Sequence, residues 1–496
     1  MSTSSAIQWH DTRLAAVRKW ESACPYEDFI DDGAIEEALS TQANPDKAHT
    51  LAIVEKARDN ARAGAMLSPE DVAVLANTQD RDCWEAIYDA ANWIKRAVYG
   101  NRIVLFAPLY ISSPCVNNCA YCGFRTSNDA VSKRTLTMDE LDEELAALVG
   151  QGHKRLVLVY GEHPSSDHEF ICETIARTYS VRRGYGEIRR ANINAAPLFV
   201  DEYEAVRASG IGTYQVFQET YHHETYRKVH PQGTLKGEYR WRQFALHRAL
   251  EAGIDDVALG VLFGLYDWRF ELLAMLHHAV ALEKAFDIGP HTMSYPRLEP
   301  ALNTPLATRS PHVISDEDFK RAVAIIRLMC PYTGSILTAR ESPAVRREVM
   351  RDGGVSQMDA GSRIAVGGYA QMEHEHIPDR QQFILGDARS LDEFVYDLCR
   401  DGYLPSFCTA GYREGRTGAN FMPLAKHATV NRFCIANGVL TFKEYLLDYA
   451  SPETRAIGER VIHTYLEWID ANVPQLADKV RQNLEREGQN QRDLHF

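Results

Sequence analysis

Residues 111–124 read Ile-Ser-Ser-Pro-Cys-Val-Asn-Asn-Cys-Ala-Tyr-Cys-Gly-Phe. Cys115, Cys119 and Cys122 fall in a C-x3-C-x2-C spacing, with Tyr121 directly before the last cysteine and Gly123 directly after it. Three thiolates on one short loop can wrap one face of a cubane iron-sulfur cluster and bind three of its four irons, which leaves the fourth open to a small molecule. An electron-transfer ferredoxin supplies four cysteines, so a triad without a near fourth points to chemistry at the open iron. A zinc site wants a further Cys or His at short spacing, and this stretch offers none.

The composition around this loop is ordinary for a globular chain: 496 residues, 45% hydrophobic and 25% charged. With 54 basic against 68 acidic residues the net charge is −14, which argues against a nucleic-acid or anionic-membrane partner. No run approaches the roughly 18 apolar residues of a membrane span. The first residues, Met-Ser-Thr-Ser-Ser, lead into polar sequence with no apolar signal core. Ten cysteines, three of them clustered, suit a reducing compartment better than a disulfide framework. The chain therefore reads as cytoplasmic.

Hydrophobic periodicity divides the chain into three parts. Residues 1–100 are helical, with apolar positions three and four apart and a helix start at Ser68-Pro-Glu-Asp. Residues 101–385 alternate short β-branched runs with helical stretches. The strands are Ile103–Tyr110, Arg155–Tyr160, Glu187–Ala195, Thr213–Glu219, Asp256–Phe263, Gly289–Tyr295, Ser335–Ala339 and Ser356–Ala360. Helices are expected at Met138–Gln151, Tyr239–Ala252, Asp267–Phe286 and Asp316–Met329. Eight strands alternating with helices make an α/β fold, a closed (β/α)8 barrel of the TIM type. Residues 386–496 form a C-terminal extension that ends in surface helices.

In such a barrel the chemistry sits at the C-terminal ends of the strands. The cluster loop follows the first strand. Gly161-Glu162 follows the second, where a carboxylate can accept from an ammonium. Asn192 and Asn194 end the third strand, and Gln215, Gln218 and Glu219 the fourth. Arg297, Arg340 and Ser362-Arg363 end the last three; each arginine suits a carboxylate ligand but equally a structural ion pair. Gly367-Gly368-Tyr369 is a turn. In the extension, Cys408 and Cys434 stand 26 positions apart, and taken alone they are weak as a metal motif.

Together these residues resemble the radical SAM superfamily, whose cluster binds S-adenosylmethionine (SAM) through its methionyl amine and carboxylate. Within it, the strings Gly210–Tyr221, Gly253–Arg269, Pro290-His-Thr-Met-Ser, Ala360-Gly-Ser-Arg363 and Ser406-Phe-Cys-Thr-Ala are similar to the tyrosine lyases of the HydG type, which serve FeFe-hydrogenase maturation. The likeness spans roughly residues 85–450 and implies a 4Fe-4S cluster on Cys115, Cys119 and Cys122. It implies SAM contacts by Tyr121, Gly161, Glu162, Asn192 and Asn194. Arg340, Ser362 and Arg363 are the candidates for the carboxylate of L-tyrosine, with Gln215, Gln218 and Glu219 at the same mouth. The implied reaction splits the Cα–Cβ bond of tyrosine by way of a 5′-deoxyadenosyl radical, giving p-cresol and dehydroglycine (2-iminoacetate). It requires a reductant such as flavodoxin or ferredoxin.

The same resemblance implies a second iron-sulfur cluster on C-x2-C-x22-C, where dehydroglycine would go on to carbon monoxide and cyanide, with hydrogenase-maturation proteins as partners. Cys408 and Cys434 match the outer positions; the middle one is Gly411. Cys399 is near in sequence but wrongly spaced, and His277, His278 and His291 are candidates for a histidine beside that site. Two enzymatic readings stay open here, a lyase that stops at dehydroglycine and a full maturase. A catalytically dead scaffold is the third, opposed by the intact triad.

Overall fold

The computed structural model describes residues 3–371, 378–427 and 430–496. Its longest strand, β1 (Arg102–Ser112), is buried along almost its whole length, as a strand covered on both faces must be. Seven more follow: β2 (Arg155–Tyr160), β3 (Arg190–Asn194), β4 (Tyr214–Gln215), β5 (Val257–Gly260), β6 (Thr292–Ser294), β7 (Gly334–Leu337) and β8 (Gln357–Asp359). Each pairs with the next in parallel, and β8 returns to β1 through Val104↔Gln357 and Phe106↔Asp359, which closes the barrel. All eight fall inside or next to the runs read from the sequence.

The ladder is shorter than the hydrophobic runs where the strands flare at the mouth. Residues 213–219 were expected to pair throughout, yet only Tyr214 and Gln215 form regular strand. The rest continues by single bonds, Val216 N to Ala258 O at 3.2 Å and Gln218 N to Gly260 O at 3.1 Å. The helix expected over 239–252 breaks at Phe244 into Tyr239–Gln243 and Ala245–Glu251. On the first piece, Arg242 reaches back to the mouth and donates to Phe217 O at 2.6 Å.

A ninth strand, β9 (Leu404–Ser406), comes from the predicted extension and pairs in parallel with Arg102–Val104 at the start of β1. The extension is thereby tied to the N-terminal end of the barrel. Long helices Val430–Asp448, Pro452–Asn472 and Pro474–Gly488 pack beyond it.

The N-terminal region is helical, as its periodicity requires, and Ser68 with Asp71 makes a capping box around Pro69. Its first helix, Thr3–Ala23, lies on the mouth side, where Leu14 and Val17 pack with Leu235 and Trp241 in a small cluster separate from the main core. Val116 of the cluster loop joins that cluster. The buried guanidinium of Arg248 is held between the rings of Trp20 and Trp241, 4.2 and 3.5 Å from their centroids. Among the described residues no helix is long and apolar enough to cross a membrane.

Candidate active site at the barrel mouth

A cavity of about 240 Å³ opens at the C-terminal ends of the strands, and all three cysteines of the loop line it. The loop is fixed from both sides. Val116 N donates to Glu162 O at 2.8 Å and Ala120 N to Val229 O at 2.9 Å. Gly161 N donates to Ser112 O at 2.8 Å, and a Cβ at 161 would lie 2.1 Å from the carbonyl oxygen of Pro114. Only glycine lets β2 come this close to the loop. Gly123 is constrained in the same way by the Gln382 carbonyl, at 2.5 Å from its would-be Cβ.

Polar groups surround the sulfurs. Asn117 Nδ2 lies 3.7 Å from Cys115 Sγ, and Gln382 Nε2 lies 3.3 Å from Cys122 Sγ. Burial pushes the Cys119 thiol up to about 12, and a cation such as iron at this wall would favour its thiolate. Among the described residues no three His, Cys, Asp or Glu side chains close around a single-ion position. All three thiols face one cavity. The donor set fits the cluster read from the sequence.

Glu162 is buried in the same wall. Its Oε2 accepts from Asn117 Nδ2 at 2.6 Å, while Oε1 has no partner among the described residues. A carboxylate with one free buried oxygen is a ready acceptor for an ammonium. Tyr121 presents its ring to the cavity, with its hydroxyl 2.8 Å from His230 Nε2. Glu219 sits at φ 73°, a left-handed backbone that a non-glycine residue rarely adopts. Burial alone would raise its carboxyl, but Lys236 (2.7 Å) and Arg242 (3.5 Å) hold it below the usual range. Two cations against one carboxylate leave this corner with a spare positive charge.

The other candidates divide by whether they reach the cavity. Asn194, Gln215 and Glu219 line the cavity. Gln218 faces away, with its buried amide unpartnered among the described residues, and Asn192 lies deeper, accepting from Thr213 N at 2.9 Å. Of the arginines, Arg297 forks Glu341 and reaches Asp316 at 2.7 Å, so it is a structural ion-pair residue. Ser362 donates to Asp359 at 2.6 Å and Arg363 donates to the Ser362 carbonyl at 2.8 Å; neither contributes to the cavity wall. Arg340 does. It is half-buried, lies over the Phe383 ring at 3.4 Å and, among the described residues, donates to the Arg297 carbonyl alone, at 3.3 Å.

A second, smaller cavity of about 70 Å³ sits at the opposite end of the barrel, beside the first residues of β1, β2 and β8. Cys408, Gly411, Cys434 and His291 line it, and His291 Nε2 is 2.8 Å from the hydroxyl of Tyr412. His278 is buried elsewhere against Tyr221, at 2.7 Å, and Cys399 lies in the core away from this cavity. His277 does not line it either. The long sequence gap is closed by β9 and the helix that carries Cys434. Two thiolates are nevertheless a poor cage for a cubane, so the residues present do not fit a second cluster held by cysteines alone. A Cβ at Gly411 would meet only Arg416 Cβ, at 3.9 Å.

Comparison with known proteins agrees with the fold. Residues 109–277 match the model of the Radical SAM superfamily, and residues 294–404 match the Biotin and Thiamin Synthesis associated domain. Over 361 residues the chain is 31% identical to 2-iminoacetate synthase of Salmonella typhimurium, covering 72% of this chain and 90% of that one. A crystal structure of HydG, a maturase of the FeFe-hydrogenase, superposes with a TM-score of 0.90 at 45% identity, covering 95% of this chain and all of that one. HydG from Carboxydothermus hydrogenoformans gives 0.73 at 37% identity, over 91% of this chain and 99% of its own.

Replacing Gly161 by Ala should displace the Pro114 carbonyl and with it the cluster loop. 5′-Deoxyadenosine formation, followed by chromatography, should drop by about 100-fold, the scale of a 1 Å misplacement at a reacting centre. Gly411→Cys should raise the iron bound after reconstitution from roughly four to roughly eight per chain, measured by iron and sulfide assay. Unchanged iron would mean that the third thiolate is not what the lower cavity lacks.

Proposed function

The chain belongs to the radical SAM family that holds the 2-iminoacetate synthases and the HydG maturases, and from this we propose that it cleaves L-tyrosine at the upper cavity to p-cresol and 2-iminoacetate. The observation that carries the reading is Arg340, a half-buried guanidinium that faces the same cavity as the cysteine triad and has no carboxylate partner among the described residues. A half-buried cation without a counter-charge is free to take one, and its planar fork matches an amino-acid carboxylate bidentately.

The cavity's own residues divide the work. Cys115, Cys119 and Cys122 hold the cluster, and Glu162 takes the ammonium of SAM. Lys236 and Arg242 give the SAM carboxylate the positive charge that Glu219 leaves over, and Tyr121 walls the nucleoside side. Apolar side chains from β1, β2 and β7, among them Phe106, Val157 and Ile336, close the floor and keep water from the reacting centre. When bound and reduced, the cluster supplies the electron that splits SAM into methionine and a 5′-deoxyadenosyl radical. Arg340 then fixes the tyrosine backbone so that its amino hydrogen lies in reach and the Cα–Cβ bond is the one to break.

The electron comes from a small carrier of the flavodoxin or ferredoxin class. Two thiolates at the lower cavity support a lyase that releases 2-iminoacetate. The second reading, a maturase that carries it on to carbon monoxide and cyanide with hydrogenase-maturation partners, draws on the whole-chain likeness to HydG and on the convergence of Cys408, Cys434 and His291 on one cavity.

Replacing Arg340 by Met keeps the bulk over Phe383 and removes the charge. The tyrosine KM should rise by about 100-fold or more with iron content unchanged, since a charge-assisted fork to a desolvated carboxylate is lost. A wild-type KM in this variant would move the carboxylate site elsewhere.

A further inference from the structure

One carboxyl of the upper cavity has no role in the account above. Glu299 follows β6 on a segment fixed by the bridge of Arg297 with Phe263 and by Leu298 N donating to Phe263 O at 2.9 Å. It lines the cavity beside Arg340, which arrives from the neighbouring strand β7. The other charges nearby are settled. Arg297 is spent on Glu341 and Asp316, Glu219 on Lys236, and Asp359 takes the Ser362 hydroxyl. Glu299 alone of these carboxyls has no hydrogen-bond or ion-pair partner among the described residues, and no ion pair joins it to Arg340.

On the side of β6 and β7 the mouth thus carries a cation and a carboxyl that have no ionic partner among the described residues, set apart from each other. A free amino acid has the same pattern, a carboxylate and an ammonium on one carbon. The reaction draws hydrogen from the amino nitrogen, and an ammonium must first lose a proton to present a neutral amine. We propose that Glu299 is a catalytic residue of this cleavage: it receives the substrate's α-ammonium opposite Arg340 and takes one of its protons. This rests on tyrosine being the substrate. One N–H bond breaks, its electron pair stays on nitrogen, and the proton forms an O–H bond on Glu299; no electron changes hands.

The surroundings set this carboxyl for the task. Burial and the neighbouring Glu341, with a smaller push from Asp316, carry it up to about 7 against the pull of Arg340 and Arg297. The segment 381–385, bonded to Pro300 through Ile384 N at 2.8 Å, brings no charge. A base that titrates near neutrality is well matched to accept a proton there. Because the ionised form is the active one, kcat/KM should rise with pH through about 7 and level off above it.

The test uses the reconstituted enzyme, its Glu299→Gln and Glu299→Asp variants, L-tyrosine and 3-(4-hydroxyphenyl)propanoate, which lacks the amine. Glu299→Gln should lower kcat/KM for tyrosine by about 100-fold and flatten the pH profile around neutrality, with Glu299→Asp in between. Binding of the amine-free acid should be no weaker to Glu299→Gln than to the wild type. Wild-type cleavage by Glu299→Gln, or equal loss of affinity for tyrosine and the amine-free acid, would overturn the proposal. A wild-type enzyme that neither binds nor cleaves tyrosine would instead sink the substrate reading, and this proposal with it.

Discussion

The mouth depends on a single close approach. The carbonyl of Pro114 and the Cα of Gly161 share a space in which a methyl group would sit 2.1 Å from oxygen. That contact brings the end of β2 against the start of the cluster loop, so that Glu162 and Asn117 bond at 2.6 Å and Val116 is tied back to Glu162. The cysteines and the Glu162 carboxylate are thereby placed by the same seam. The barrel supplies stiffness for it: β1 is paired on both sides and along nearly its full length, and a long strand held this way gives the loop after it little freedom.

Two cavities at opposite ends of one barrel divide the chemistry. The upper one gathers three thiols, charged groups of both signs and an apolar floor, the elements needed to hold a radical cofactor and an amino acid out of water. The lower one is smaller and retains two thiols and a buried histidine, with open space where Gly411 would otherwise point a side chain. Its walls come partly from the barrel and partly from the extension joined by β9. The extension therefore shapes a real cavity even though its donor set is incomplete for a cubane.

Much of this is legible in the sequence, for physical reasons that differ by residue. The cysteine triad is local, so spacing alone reveals it. β-Branched runs locate all eight strands because buried parallel strands are continuously apolar. Arg340, Glu162, Asn194 and Gln215 line the mouth because strand ends open onto it. Glu219 lines the mouth and Gln218 does not, a division that periodicity does not supply because regular strand ends at Gln215 and Glu219 takes a left-handed backbone. Lys236 and Arg242 come from the broken helical segment rather than a strand end. Glu299 and Gln382 reach the site along irregular backbone, and no periodicity marks them. Ser362 and Arg363 sit at a strand end too, but Asp359 and nearby carbonyls capture them.

The most direct test of the central claim is an anaerobic turnover of reconstituted protein with SAM, dithionite and L-tyrosine. p-Cresol and 5′-deoxyadenosine would be read by chromatography, and carbon monoxide by a haem trap. p-Cresol formed in step with 5′-deoxyadenosine, with no carbon monoxide, is the result the structure leads to. SAM cleavage without p-cresol would contradict the assignment of tyrosine to the upper cavity, and carbon monoxide alongside p-cresol would contradict the reading of the lower one.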